Sequence, residues 1–114
     1  MPGLHVGDLD REIVIQTAPV VQSASGEERF DWDAAESTTV WAEWMPGGTT
    51  ETYRAQQRLG SYIDGVFRIY ECDPVPTPND TRIVFDGRNY DIKPPYEDMT
   101  FPNALLIPVV ARGE

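Results

Sequence analysis

Cysteine, lysine and histidine are nearly missing from this chain: Cys72, Lys93 and His5 each stand alone in 114 residues. A single cysteine excludes a disulfide within the chain and points to a reducing compartment. Cys72 lies between Glu71 and Asp73, surroundings that disfavour a thiolate, so it reads as a small packed side chain rather than a nucleophile. His5, close to a terminus, is expected to be frayed and exposed, and no Ser–His–Asp or Cys–His relay can be built on it. Positive charge is scarce as well: nine Lys and Arg face nineteen Asp and Glu, for a net charge of −10. That balance argues against binding DNA or RNA by neutralising phosphates, which needs clustered Lys and Arg, and equally against docking on an anionic membrane. No apolar run approaches the roughly 20 residues of a membrane-spanning helix. The start, Met1-Pro2-Gly3-Leu4-His5, has neither the basic nor the hydrophobic part of a secretion signal. A glycine-rich phosphate loop is missing too, since Gly47-Gly48 is a bare turn signal.

What is present is β-forming. Forty per cent of the residues are hydrophobic, with ten prolines and nine glycines. This composition suits one compact domain, residues 1–114, with many turns. Arg82 to Lys93 is the clearest segment. Ile83 and Phe85 alternate before a tight turn, and Tyr90 and Ile92 alternate after it. A turn led by Gly87 would oppose Phe85 to Tyr90; one centred on Asp86-Gly87 shifts the pairs but keeps the faces. Arg11–Gln16 reads as a first strand with Ile13 and Ile15 inward, and Thr38–Met45 as a second. Tyr62–Glu71 reads as a long strand broken near Asp64-Gly65, with Phe67 and Ile69 inward. Asn103–Ala111 reads as a last strand, in which Pro108 implies an edge or a bulge. Between them lie a long polar loop at residues 23–37 and a loop with a short helix at residues 46–60. Thr50 is the expected helix cap, Glu51 opens the first turn and Gly60 is the stop. The reading is a mainly β fold, a small antiparallel barrel or sandwich of about six strands.

Candidate chemistry is thin. Asp80 followed by Asp91-Ile92-Lys93 has the spacing of a Mg²⁺-dependent nuclease, with two carboxylates and a lysine to hold the metal and orient water. Asp91 and Lys93 fall on the solvent side of their strand, however, where unremarkable charges belong. Asp31, Asp33 and Glu36 lack the glycine and ligand spacing of a calcium loop, and Asp8, Asp10 and Glu12 read as exposed charges around a strand. No catalytic residue, metal or cofactor is expected.

The tryptophans carry more information. Val40, Ala42 and Trp44 share one face of their strand, and Trp41, Glu43 and Met45 share the other. Two tryptophans on opposite faces need two apolar environments. One fills the core; the other is covered by the Phe30-Trp32 loop or left for a partner, and tryptophan is enriched at interface hot spots. The expected helix places Tyr53, Arg54, Gln57 and Arg58 together, with two cations of a very acidic chain. Trp41, Trp44, Tyr53, Arg54 and Arg58 are therefore the candidate contact residues.

The ordered set of segments resembles the small head–tail adaptor, or head-closure, proteins of tailed bacteriophages. The matching pieces are Gly7-x-Leu9 with Ile13-Val14-Ile15-Gln16, Val40-Trp41-Ala42-Glu43-Trp44, Tyr53-Arg54-Ala55-Gln56-Gln57, Phe67-Arg68-Ile69-Tyr70, and Arg82 through Lys93. Glu12 stands where that family often has a basic residue, and the C-terminal part with Pro94-Pro95, Pro102 and Pro108 is richer in proline. The resemblance implies a non-enzymatic virion component of the neck. It would form a ring of sister subunits that closes the DNA-filled head below the portal. It would contact portal or adaptor proteins above and a tail or tail-terminator protein below, with DNA passing through unbound. The implied location is the virion, with assembly in the host cytoplasm and no membrane. A different reading is a small soluble β domain that binds a protein or carbohydrate through aromatics such as Trp44, Tyr53 and Tyr96.

Overall fold

The computed structural model describes residues 9–22, 24–70, 76–98, 101 and 103–112. His5, Gly7, Asp8, Glu71, Cys72, Asp73 and Pro102, named above, lie outside the described residues, as does residue 23. In chain order the elements are β1 (Arg11–Thr17), β2 (Val20–Gln22), β3 (Glu28–Phe30), a 3₁₀ turn (Trp32–Ala34), β4 (Glu36–Pro46), α1 (Thr50–Leu59), β5 (Gly65–Tyr70), β6 (Thr81–Phe85), β7 (Arg88–Ile92), β8 (Tyr96–Glu97) and β9 (Ala104–Ala111).

Six strands run in the order β5-β4-β1-β6-β7-β9, and β9 pairs back onto β5, so the sheet closes into an antiparallel barrel. The barrel form, rather than a sandwich, follows from that last pairing. Alternation decides what fills it. Ile13 and Ile15 of β1, Ala42 of β4, Phe67 and Ile69 of β5, Ile83 of β6, Tyr90 and Ile92 of β7, and Leu105, Ile107 and Val109 of β9 make one buried cluster. A smaller cluster lies outside the wall beneath α1, where Met45, Ala55, Ile63, Val66 and Leu106 meet. A helix this short would not persist alone in water, and this outer cluster is what holds it.

Asp86-Gly87 is the centre of the β6–β7 turn: Phe85 pairs with Arg88 and Ile83 with Tyr90. Both central residues have positive φ, 52° and 76°, as a type I′ turn requires. The Gly87-led register is therefore not the one adopted. The helix begins one residue earlier than the sequence suggests. Thr49, not Thr50, is the cap, its hydroxyl accepting from the Thr52 N–H at 3.3 Å, and Gly60 ends the helix with φ 68°. β5 begins at Gly65 because Asp64 ties the preceding chain to β9. The Asp64 N–H donates to the Val109 carbonyl at 2.8 Å, and its carboxylate accepts from the Ala111 N–H.

One expectation is overturned and another is met only in part. Residues 23–37 are not simply a loop. β2 and β3 pair as a hairpin arm (Val20 with Phe30, Gln22 with Glu28), the 3₁₀ turn follows, and β4 already starts at Glu36. Pro108 is not on an edge strand: it is buried in β9 and paired with Val66 on β5, while on its other side the register slips by one residue between Ile92–Val109 and Tyr96–Leu106, the irregularity a bulge brings. The Pro108 carbonyl accepts from the Lys93 N–H at 2.8 Å, so its ring nitrogen points to that same side. There β7 pairs with β9 only from Val109 onward, and β8 only with Leu105 and Leu106. The missing donor falls in the gap between those two partners, where no ladder bond is lost.

Candidate interaction surfaces

The tryptophans of β4 divide as their alternation requires. Trp44 points into the barrel, its ring centroid 4.5 Å from Phe67, 5.7 Å from Phe85 and 5.8 Å from Tyr90. Trp41 lies on the outer wall and is 54% exposed. Tyr70, on the next strand and on the same outer side, is 42% exposed. Trp41 pairs with Glu12 across β1, and Asp10, Arg11 and Asp86 lie at the same end of the wall. This is an aromatic patch with an acidic rim.

The Phe30-Trp32 segment covers a different part of the wall. Trp32 lies under two guanidiniums, with the Arg82 carbon 4.4 Å and the Arg112 carbon 5.5 Å from its ring centroid. Arg82 also donates to Gln16 at 2.7 Å, and Arg112 donates to Asp91 from Nε at 3.0 Å. A polar row, Gln16, Arg82, Asp91 and Arg112, thus crosses the barrel and pins the root of the arm. Asp91 is committed to this row, which removes it from the nuclease arrangement. Asp80 is likewise engaged by the hydroxyls of Thr77 and Thr81. Among the described residues, no group of three or more His, Cys, Asp or Glu side chains is arranged to hold a metal.

On α1, Tyr53 is 60% exposed, and its hydroxyl accepts from the Gln57 amide at 2.8 Å. Arg54 is exposed and stands 3.9 Å from Glu51, a separation worth little at the surface. Arg58 lies over the Tyr96 ring, 4.5 Å from its centroid, and the Tyr96 hydroxyl donates to Glu51 at 2.9 Å. Tyr96 is therefore capped, not offered to a ligand. Burial raises its phenol well above the usual range for tyrosine, and the hydrogen bond and charge of Glu51 add to that. The structure brings Tyr53, Arg54 and Arg58 onto one surface and leaves Trp41 on another, while Trp44 belongs to the core.

Sequence reasoning missed two features. The first is Arg68, which donates to Asp98 at 2.6 Å and Glu43 at 2.7 Å and lies 4.9 Å from the Phe101 centroid. Burial works against its charge, but the hydrogen bond to Asp98 and the charges of Glu43 and Asp98 outweigh that and raise its pKa. The second is the arm. All six residues of β2 and β3 are exposed, including Val20 at 52%, Val21 at 38% and Phe30 at 39%. Its sequence signal was a pair of apolar-containing triplets, Val20-Val21-Gln22 and Glu28-Arg29-Phe30, on either side of Gly26.

A family model described as phage head completion protein matches residues 4–110. Two solved structures are similar in fold. One is a chain in the virion of a native gene transfer agent particle, with a TM-score of 0.62 and 22% identity over 90% of this chain and 93% of that one. The other is a protein of Shigella flexneri 2a solved in solution, with a TM-score of 0.66 and 22% identity over 97% of this chain and 99% of that one. No curated protein matches it.

Proposed function

The chain belongs to the phage head completion protein family, whose members are structural proteins of the head, and from that premise we propose that it is a ring-forming subunit of the virion neck. Sister copies stand side by side below the portal, close the DNA-filled head and offer the tail its attachment platform. The chain works by contact, without catalysis or cofactor, during assembly in the host cytoplasm and then in the particle.

The observation that carries this reading is the division of labour on the barrel. Trp44 completes the core, so Trp41 on the outer wall and Tyr53 and Arg54 on α1 are surface the fold does not need for itself, and Arg58, though it caps Tyr96, stays exposed beside them. Large exposed aromatics beside charges suit an interface. The two surfaces differ in composition, and unlike surfaces that meet head to tail generate rings when the rotation closes. The net charge of −10 fits a channel that DNA traverses without sticking, because phosphates find few cations to bind. The rival reading, a ligand-binding β domain using Trp44, Tyr53 and Tyr96, loses two of its three aromatics to the core and to the Glu51–Arg58 cap.

The test is deletion of the gene from a phage or transfer agent that carries it. Full heads that leak DNA and free tails in the same lysate are expected, with complementation restoring joined particles. Closed heads with tails normally attached would sink the proposal.

A further inference from the structure

We propose that the β2–β3 arm of one copy lies along the exposed face of α1 on the next copy, which makes this pair of surfaces the seam between neighbouring subunits. The inference rests on the ring reading and adds which surfaces meet.

No barrel strand among the described residues pairs with β2 or β3. A two-stranded hairpin is marginal in water unless something packs on it. Among the described residues β2 and β3 pair only with each other, and every residue in them is exposed. One face carries Val20 and Phe30 side by side, with Glu28 next along β3. Apolar side chains on an unsupported ribbon call for a cover.

The arm cannot find that cover on its own barrel helix. It leaves the barrel at the start of β4, whereas α1 follows the end of β4, which is eleven residues long. At 3.2–3.4 Å per residue the two sites are about 35 Å apart, while half of an eleven-residue hairpin reaches only about 17 Å. The clamp of Trp32 beneath Arg82 and Arg112 also holds the root of the arm against the β6–β7 side.

Charge selects the occupant. The arm and its root carry Glu27, Glu28, Asp31 and Asp33 against Arg29 alone. The outer face of α1 presents Arg54 and Arg58 beside Tyr53 and Gln57; the nearby acid, Glu51, is only 18% exposed and already holds the Tyr96 hydroxyl, so the exposed part of the face is cationic. An acidic, partly apolar ribbon thus has its complement, a cationic face with an exposed aromatic, at the far end of an identical molecule. Because arm and helix face are different surfaces, each copy uses one of each, and the contact runs head to tail.

Cysteine cross-linking in assembled particles tests this. Cys72→Ser particles would carry both Glu28→Cys and Arg54→Cys, or either alone, with Val20→Cys and Arg58→Cys as a second pair. Oxidation of the double variants should deplete the monomer and give a covalent ladder past dimer, while each single variant stays monomeric. If neither double variant gives a ladder but a long carboxylate-reactive cross-linker does, the ring stands and the arm–helix seam is wrong. If no chemistry gives multimers, the ring reading fails and this inference falls with it.

Discussion

Gly65 lies directly against the indole of Trp44: a methyl group on its Cα would come within 2.7 Å of the ring carbon Cζ3 and 2.8 Å of the Met45 carbonyl oxygen. Neither neighbour can give way easily, since the ring is packed against Phe67 and the carbonyl belongs to the barrel wall. Gly65→Ala should cost about 1–3 kcal/mol, the usual range for overpacking. Urea denaturation followed by far-UV circular dichroism measures it. Placing the same change in a Trp44→Leu background should cost clearly less, because the clashing ring is gone.

Arg68 holds two acids together. Its side chain is 12% exposed, and that of Asp98 only 4%. Arg68→Met strands a buried carboxylate, so a loss of about 3 kcal/mol or more is expected in the same assay. Arg68→Lys should recover only part of it, because a point charge cannot span both acids as the planar guanidinium does.

Trp32→Leu should act on the arm alone. Two cation–π contacts at a partly exposed site are worth about 0.5–1 kcal/mol each. Amide hydrogen exchange should quicken across residues 28–35 while the β5 and β9 amides keep their protection. Equal acceleration everywhere would mean that Trp32 supports the barrel itself.

Tyr96 gives a pH dependence with a definite sign. Its folded pKa is raised, so the stability it contributes is fully present below the unfolded value near 10 and is lost as pH climbs beyond it. The unfolded chain releases the proton first, and alkali therefore pulls the equilibrium toward unfolding. Thermal melts from pH 8 to 11 should show stability falling above about pH 10. The fall should be shallower in Tyr96→Phe, which has no proton to lose.

Much of the barrel could be read from alternation. The β6–β7 hairpin announces itself through Ile83, Phe85, Tyr90 and Ile92 around a glycine, because its pattern and its turn chemistry agree. The Trp41/Trp44 pair likewise revealed one inward and one outward residue, since adjacent parity on a strand leaves no other arrangement. Local pattern could not reveal Pro108 in a paired strand. Its tolerance depends on where β7 and β8 each stop pairing with β9, a fact set by Pro94-Pro95 and the chain around them. Nor could it reveal the clamp on Trp32, whose cations come from Arg82 and Arg112 far along the chain. Asp91 looked like half of a metal site for the same reason: the guanidinium that occupies it, that of Arg112, comes from beyond β9, 21 residues further on. The arm was hidden because it has no buried face, and alternation is informative only where one side of a strand meets a core.

The three tryptophans occupy three unlike places: Trp44 among rings in the interior, Trp32 beneath two guanidiniums, and Trp41 in open water on the wall. The native chain therefore carries a separate optical reporter for each event in its life. Emission from Trp44 follows unfolding, that from Trp32 follows release of the arm, and a blue shift from Trp41 marks the moment another surface closes over it. Single-tryptophan versions would let folding, arm docking and incorporation into the particle be timed independently, with no dye attached.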